Sequence, residues 1–172
     1  RLNAAARKLH RNVRIGLRIN TDYAIHETTG IIGGTQANKF GIDENKIFDV
    51  LERMKKLDSI SLAGIHVFNA TQVLDYQELA ANTKNILRLA GEISLKSGLP
   101  LEYIDIGGGL GIPYAEDEQE VDIHALGEEF IKLHEDLCEN ENLAQTRWIL
   151  EPGRYLSGES GVFLATVLDV KE

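Results

Sequence analysis

Strand-like and helix-like stretches alternate along this chain, and this alternation limits the possible folds more than any single motif does. Four apolar stretches with the composition of strands begin roughly 45 residues apart, and the segments between them carry apolar residues at helical spacing. Such an alternation predicts parallel strands with helices packed outside them. The predicted strands are residues 13–20, 60–68, 101–106 and 146–150, and the predicted helices are residues 43–57, 76–96 and 126–137.

About four strand–helix units make half of an eight-fold β/α barrel, so the sequence predicts an α/β fold that is a partial TIM barrel. One more strand pattern, residues 161–170, follows with no helix before it. Residues 2–9 have the character of the last turns of a helix, so we expect the chain to be part of a longer protein. A half barrel leaves two edge strands bare, and we expect such a chain, on its own, to associate.

Three consecutive glycines, Gly107, Gly108 and Gly109, directly follow the third predicted strand. Because they lack Cβ atoms, their backbone N–H groups can point to one place, and such a concave set of donors binds anions. The alternative is a turn that needs positive φ angles. A dinucleotide fingerprint is excluded because Ile112 stands where its third glycine belongs, and no Gly-Lys-Ser/Thr of a phosphate loop follows.

Polar clusters occur where the predicted strands end. In β/α barrels the reacting groups lie at the carboxyl ends of the strands, and phosphate is commonly bound by the loops after the last two strands. The sequence therefore predicts one site at this end of the sheet, without a bound metal. The clusters are residues 18–20, 66–72, 107–111 and 151–154.

Composition narrows the function classes. The chain has 27 acidic against 18 basic residues, which argues against nucleic acid or an anionic membrane as its main partner. It is 43% hydrophobic over 172 residues, enough to bury a substantial core, and it has no apolar run long enough to cross a bilayer. Its single cysteine, Cys138, excludes an internal disulfide and favours a reducing compartment, so we expect a cytoplasmic protein.

Five short motifs in a fixed order resemble those of a known family. They are Lys-Phe-Gly at 39–41, Gly-Ile-His at 64–66, Thr-Gln at 71–72, Ile-Asp-Ile-Gly-Gly-Gly-Leu-Gly at 104–111 and Glu-Pro-Gly-Arg at 151–154. Together they resemble the pyridoxal-phosphate (PLP) dependent decarboxylases of the diaminopimelate, ornithine and arginine decarboxylase family, whose fold type III barrel is similar to that of alanine racemases. The resemblance covers nearly the whole chain.

The resemblance implies a domain division, a cofactor and an assembly. Residues 1–160 would form the second half of the PLP-binding TIM barrel, and residues 161–172 would begin a C-terminal β domain. The implied cofactor is pyridoxal 5′-phosphate, the implied substrate is a small molecule, a basic or dicarboxylic amino acid, and the implied assembly is a homodimer. The residues implied to bind the cofactor phosphate are Gly107, Gly108 and Gly109 through their N–H groups, Thr71 in place of the family's serine, and Arg154 as a nearby cation.

Glu151 and His66 are the catalytic residues that the resemblance implies. Glu151 would face the pyridine nitrogen, and a carboxylate there keeps that nitrogen protonated, so the ring accepts the electrons left when CO₂ departs. Alanine racemases carry an arginine at this place, so a glutamate favours decarboxylation. The alternatives are structural: Glu151 would pair with Arg154, and His66 would be a core histidine hydrogen-bonded to the backbone.

Two departures from the family pattern matter. Phe68 stands where the family usually has a histidine stacked on the pyridine ring; a phenyl ring can still stack on the cofactor, but it cannot donate a hydrogen bond. The family's cofactor-bearing lysine lies on an early barrel strand, and nothing here matches its signature. We therefore expect the chain alone to be inactive.

The implied function of the parent protein is that of a lyase of amino-acid metabolism, a PLP-dependent decarboxylase. A non-catalytic, decarboxylase-like regulatory binding protein is one alternative, and Phe68 supports it. An amino-acid racemase is another. The retained glycine run, Glu151 and Arg154 argue against a lapsed site, because a protein without cofactor chemistry needs no carboxylate beside the ring.

Overall fold

The computed structural model describes residues 1–23, 25 and 39–171, and this part of the chain contains five strands and five α-helices. The strands are β1 (Val13–Asn20), β2 (Ile42–Asp43), β3 (Ile60–Val67), β4 (Tyr103–Asp105) and β5 (Arg147–Ile149). The helices are α1 (Leu2–Lys8), α2 (Ile47–Met54), α3 (Tyr76–Ser97), α4 (Ile123–Cys138) and α5 (Gly153–Ser157), with a 3₁₀ turn over Glu44–Lys46. The loop predicted over residues 24–38 lies, except for Ile25, outside the described residues.

All strand pairs are parallel, as the alternation predicts. The strand order in the sheet is β2-β1-β3-β4-β5. In the chain, α2 lies between β1 and β3, α3 lies between β3 and β4, and α4 lies between β4 and β5. Strands that follow one another from β3 to β5 lie side by side, which is the progression of a β/α barrel. The partial barrel predicted from the sequence is confirmed.

The helix ends are set by local hydrogen bonds. Asp75 precedes α3, and its side chain accepts a hydrogen bond from the Gln77 N–H at 2.7 Å, while Gly98 ends the helix with a φ of 71°. Asp122 caps α4 in the same way, accepting from the Ala125 N–H at 2.9 Å. No helix in the described ranges has the length and apolar character needed to cross a membrane.

The main core lies between the sheet and its outer helices. Alternate residues of the central strands face α3 and α4, because successive side chains of a strand point to opposite faces. The fully buried members from the sheet are Ile19, Ile65, Val67 and Ile104, and those from α3 are Ile86, Leu89, Ala90 and Ile93. This packing leaves the other face of the same strands for the barrel interior.

Tyr103 covers the inner face of the sheet across two strands. A Cβ at Gly16 would overlap the Tyr103 hydroxyl, and a Cβ at Gly64 would lie 2.5 Å from the Tyr103 carbonyl oxygen and 2.7 Å from its ring. Gly16, Gly64 and Tyr103 are paired in register across β1, β3 and β4. The two glycines are therefore required so that this ring can lie against the sheet, where it forms a floor below the carboxyl ends.

The predicted strand over residues 161–170 is not formed. Residues 161–171 have no strand or helix, and their apolar side chains are exposed. The physical reason is that a strand needs a hydrogen-bonded neighbour, and the described residues offer none to this segment. The most exposed side chains are Phe163 and Leu168, each 93% exposed. The division into a barrel over 1–160 and the start of a β domain over 161–172 stays a prediction.

Candidate active site

The strand register places three polar side chains in one row at the carboxyl end of the sheet. Arg18 on β1 pairs with His66 on β3, and His66 pairs with Asp105 on β4. Residues paired in register point to the same face, and each of these stands two residues beyond a member of the Gly16–Gly64–Tyr103 row. The row therefore lies on the inner face, directly above the Tyr103 floor.

Glu151 joins this row from the segment after β5. Its Oε2 lies 3.5 Å from His66 Nε2, and Asp105 offers a third ligand atom within 4.8 Å of both. The His66–Glu151 pair is within ion-pair distance but is not hydrogen-bonded, so the buried His66 Nε2 has no hydrogen-bond partner among the described residues. His66 is thus not a core histidine bonded to the backbone through this nitrogen, and it points at a carboxylate.

The glycine loop approaches its neighbours so closely that only glycine fits. Gly107 has a φ of 73°, and a Cβ there would overlap the Val67 carbonyl oxygen at the end of β3. A Cβ at Gly108 would lie 2.5 Å from the Glu151 carbonyl oxygen and 3.7 Å from the Phe68 ring. The loop is therefore wedged between the exits of β3 and β5, and the predicted convergence of Gly108 and Glu151 is present.

Backbone hydrogen bonds fasten the loop on both sides. The Glu151 N–H donates to the Gly107 carbonyl oxygen at 2.8 Å, and the Val73 N–H donates to the Gly109 carbonyl oxygen at 2.8 Å. The Gly107 N–H is itself donated to Asp105 Oδ1 at 3.0 Å. Within the described part of the chain, the N–H groups of Gly108 and Gly109 have no protein acceptor, so they remain available as donors to a ligand.

The bond from the Gly107 N–H to Asp105 bears on which glycines can bind phosphate. The sequence pointed to all three glycines as donors, but the Gly107 N–H is already used within the protein. Its role is to set the turn that presents Gly108 and Gly109.

The segment after β3 forms the other wall of the loop. Gln72 has a positive φ of 60°, which is unusual for a residue with a side chain, and its amide group contacts the backbone of Ile112 through both its oxygen and its nitrogen. Thr71 precedes it and is half-buried beside Ala70, whose Cβ would lie 3.6 Å from a Cβ at Gly109. Thr71 is thus adjacent in sequence to a residue that packs against the loop, and contact of its hydroxyl with phosphate stays a prediction.

Arg18 is a site residue for which the sequence analysis gave no role. Its guanidinium lies between two aromatic rings, 5.0 Å from the Phe40 centroid and 5.7 Å from the Phe68 centroid, and its buried Nε has no hydrogen-bond partner among the described residues. Asn20 donates to the Phe40 carbonyl oxygen. Gly41, with a φ of 72°, allows this approach because a Cβ there would lie 2.7 Å from Asn20 Oδ1. Arg14 stands in the same strand, so residue type alone did not distinguish Arg18 in the sequence.

Comparison with known proteins fits this geometry. The family described as "Pyridoxal-dependent decarboxylase, pyridoxal binding domain" matches residues 4–158, which is nearly the whole chain. The chain belongs to the pyridoxal-dependent decarboxylase family. It is 36% identical over 157 residues to a diaminopimelate decarboxylase of Thermoplasma acidophilum, covering 91% of this chain and 37% of that protein. It is 30% identical over 163 residues to a decarboxylase of an L-glutamyl acyl-carrier protein from Niallia circulans, covering 95% of this chain and 38% of that one.

Solved decarboxylase structures share the fold. The chain superposes on a diaminopimelate decarboxylase from Methanocaldococcus jannaschii with a TM-score of 0.73 at 26% identity, covering 90% of this chain and 36% of that one. A Chlorella virus arginine decarboxylase matches with a TM-score of 0.60 at 22% identity, which shows the fold alone. The chain spans 37–39% of the length of the first curated relatives it matches.

Arg154 contacts Tyr114 in this pyridoxal-dependent decarboxylase domain, and its predicted role beside the cofactor phosphate stays a prediction. It stands on α5, and its guanidinium contacts the Tyr114 hydroxyl and lies 5.7 Å from the centre of the Tyr114 ring. Tyr114 is in a turn closed by Glu118, whose Oε2 accepts the Tyr114 N–H at 2.6 Å; this bond and one from Ala115 N–H lower the pKa of the Glu118 carboxyl. The alternative pairing of Glu151 with Arg154 is therefore not the one the structure has.

The residues present fit pyridoxal phosphate. The loop offers the N–H groups of Gly108 and Gly109 to a phosphate, and the row below offers a carboxylate, Glu151, to a cationic ring nitrogen. Arg18 Nε and His66 Nε2 are buried polar atoms without hydrogen-bond partners in the described ranges, as expected of a site that a polar ligand completes. His66, Asp105 and Glu151 are also a donor set with which a divalent cation could be held, since their ligand atoms lie within 4.8 Å of one another.

Proposed function

We propose that the protein containing this chain is an amino-acid decarboxylase that uses pyridoxal phosphate to remove an α-carboxylate. The observation that carries the proposal is the convergence of an anion-binding glycine loop with a carboxylate on the inner face of one barrel. Gly108 lies against the backbone carbonyl of Glu151, and the Glu151 carboxylate lies 3.5 Å from His66 Nε2 on the inner face. An anion site beside an acidic site suits a ligand that is anionic at one end and cationic at the other.

The residues of the chain would divide the ligand between them. Gly108 and Gly109 would bind the phosphate through their N–H groups, with Thr71 beside them. Phe68 lies next to the loop and would cover one face of the ring. Arg18, held between Phe40 and Phe68, would supply a fixed positive charge on the same inner face.

Glu151 would set the protonation of the ring. When bound, pyridoxal phosphate withdraws the electrons of the Cα–carboxylate bond, which allows CO₂ to leave. The Glu151 carboxylate would hold a proton on the pyridine nitrogen, because a nearby negative charge favours the cationic form. His66, 3.5 Å from Glu151 Oε2, would orient that carboxylate. A glutamate at this place therefore supports decarboxylation over racemisation.

The substrate we propose is a basic or dicarboxylic amino acid. The curated relatives named above act on diaminopimelate or on an L-glutamyl acyl-carrier protein, as their names state. Most of the first relatives are diaminopimelate decarboxylases, so meso-diaminopimelate is the first compound to test. Because this chain spans little more than a third of their length, the activity belongs to the whole protein.

A homodimer in the cytoplasm is the proposed setting of the enzyme. The resemblance to the family, whose sites are built across a homodimer, supports the dimer. The exposed apolar residues of the terminal segment 161–170 also suit burial against a further part of the protein. The single cysteine supports a reducing compartment.

The test is a spectrum and a product assay on the full-length protein. We expect a visible absorbance band from bound pyridoxal phosphate, and release of CO₂ with formation of L-lysine when meso-diaminopimelate is added. Absence of the band would support the non-catalytic homologue, and a D-amino acid without CO₂ would support the racemase. A band with CO₂ release from another amino acid would retain the reaction class and correct the substrate.

A further inference from the structure

We propose that Asp105 is a positioning residue that shapes the phosphate-binding loop through its hydrogen bond to Gly107. This inference rests on the proposed function, because it concerns how the loop binds the phosphate of the cofactor. Asp105 is the last residue of β4 and lies between the exits of β3 and β5, paired in register with His66 and Ile149. It is the acidic residue nearest in sequence to the loop.

The contact is a turn closed by a side chain. Asp105 Oδ1 accepts the Gly107 N–H at 3.0 Å, two residues further on, in partly buried surroundings. Asp side chains that bond to the backbone in this way replace the backbone's own turn and fix its direction. The turn at Gly107 has a φ of 73°, and the bond to Asp105 holds the Gly107 N–H in one direction.

The bond between Asp105 and Gly107 also affects the position of the Glu151 backbone. The Gly107 peptide accepts the Glu151 N–H through its carbonyl oxygen at 2.8 Å, and the Ile106 N–H donates to the Ile149 oxygen at 3.0 Å. Fixing Gly107 on its N–H side therefore also fixes the peptide to which Glu151 is bonded. One carboxylate thus positions both the N–H donors of Gly108 and Gly109 and the backbone of the acidic residue.

The role predicted for Asp105 is that of a hydrogen-bond acceptor. Asparagine keeps an acceptor oxygen in the same place but has no charge, whereas alanine has neither. We therefore expect Asp105→Asn to retain the loop and Asp105→Ala to lose it. If the negative charge of Asp105 were what shapes the loop, both variants would lose phosphate binding equally.

The experiment compares two ligands on the full-length protein, purified free of cofactor. Pyridoxamine 5′-phosphate and pyridoxamine share the ring, and they differ only in the phosphate; neither bears the aldehyde. Their affinity ratio, measured by calorimetry, reports the phosphate contacts. We expect this ratio to fall about tenfold in Asp105→Ala, the loss of one well-placed hydrogen bond, and to change less than about threefold in Asp105→Asn.

Asp122→Ala is the matched control. It removes the same kind of bond, from an aspartate to a backbone N–H at 2.9 Å, at the start of α4. Its affinity ratio should equal that of the wild type. Should Asp105→Ala fail to fold, Asp105→Ser, a weaker acceptor, should give an intermediate ratio.

The outcomes separate this inference from the proposed function. A wild-type protein that binds pyridoxamine phosphate no better than pyridoxamine contradicts the proposed function. A wild-type protein with the expected preference, together with an unchanged ratio in Asp105→Ala, overturns the role of Asp105 alone. Equal damage in Asp105→Asn and Asp105→Ala also overturns it, because the acceptor would then be irrelevant.

Discussion

The two ends of the parallel sheet differ in whether their polar groups have hydrogen-bond partners within the described residues. At the amino end of β3, Asp58 accepts hydrogen bonds from Asn3 at 3.3 Å and from the Ser59 hydroxyl at 3.0 Å, and it lies 3.4 Å from Arg7 Nε. The Ser59 N–H in turn donates to Asn3 at 3.0 Å. This end is closed by contacts within the protein, which tie α1 to the start of the strand.

At the carboxyl end several polar groups are left without a hydrogen-bond partner among the described residues. In the described part of the chain, Arg18 Nε and His66 Nε2 are buried without hydrogen-bond partners, and the N–H groups of Gly108 and Gly109 have no protein acceptor. Buried polar groups are normally paired, since an unmade bond costs about 1–3 kcal/mol. The comparison teaches that one end of the sheet is built for stability and the other for a ligand.

The largest expected effect comes from Gly107→Ala. The new Cβ would overlap the Val67 carbonyl oxygen and force a side chain into a φ of 73°, so the loop must move. We expect no measurable binding of pyridoxal phosphate to the full-length variant by absorbance titration. Gly108→Ala, which lacks the strained φ, should weaken binding as well, because its Cβ would lie 2.5 Å from the Glu151 oxygen.

Gly127→Ala is the control for these glycine variants. Gly127 lies inside α4, and a Cβ there would meet nothing within 4 Å. The substitution should stabilise the protein by about 0.5–1 kcal/mol through helix propensity and leave cofactor affinity unchanged. Equal loss of binding in Gly127→Ala and Gly107→Ala would remove the distinction drawn between the loop and the rest of the fold.

Glu151→Gln should reduce catalysis more than binding. The amide keeps the size of the side chain but cannot hold a proton on the ring nitrogen by its charge, so we expect kcat to fall about 100-fold. Pyridoxal phosphate affinity should change less than about tenfold, because the phosphate contacts remain. Steady-state decarboxylation and absorbance titration of the same preparation measure the two quantities. Wild-type kcat in this variant would show that Glu151 has only a structural role.

Much of the fold could be predicted from local pattern. The bounds of β1 follow from strict alternation, and those of α3 were predicted to within one residue because Gly98 ends it. The two-residue β2 and the five-residue α5 are too short to leave a periodic signal. No strand forms over residues 161–170 within the described part of the chain, because pattern gives the tendency to form a strand but not the neighbour that pairs with it.

The candidate site was only partly visible in the sequence. The glycine run and Glu151 could be found because their residue types are unusual at strand exits. The contribution of Arg18 and Asp105 could not, since it depends on register: these residues are 87 positions apart in the chain but stand in one row through His66. The environment of Arg18 between Phe40 and Phe68 likewise depends on tertiary contacts that no local motif encodes.

Phe68→Ala should weaken cofactor binding by about tenfold. The ring lies beside the glycine loop and forms one side of the aromatic pair around Arg18, so its loss removes both stacking and a cation–π contact. Phe48→Ala is the matched control, because Phe48 also carries a cation over its ring, Lys96 at 3.5 Å, but lies between the outer helices α2 and α3. It should lower the melting temperature and leave affinity unchanged. Unchanged affinity in Phe68→Ala would contradict the proposed position of the ring.

The smallest effect is expected at the opposite end, from Asp58→Asn. The Ser59 hydroxyl bond, followed by those of Asn3 and Arg7, lowers the pKa of Asp58. A lowered folded-state pKa adds stability above the unfolded value of about 3.9, and this stability is lost as pH falls through the folded pKa. Thermal unfolding across pH 2–6 should show that loss in the wild type and a smaller loss in Asp58→Asn.

Asp117→Asn serves as the control for this pH dependence, because Asp117 is an exposed residue in a turn. It should behave like the wild type. Neither variant should change pyridoxal phosphate affinity. A change in Asp58→Asn would contradict the claim that the amino end of the sheet serves stability and not ligand binding.

The most direct test of the account is a crystal structure of the full-length protein with pyridoxal phosphate. We predict phosphate oxygens about 3 Å from the nitrogens of Gly108 and Gly109, and the pyridine nitrogen beside the carboxylate of Glu151. A cofactor whose phosphate lies away from these N–H groups, or whose ring nitrogen points away from Glu151, would contradict it.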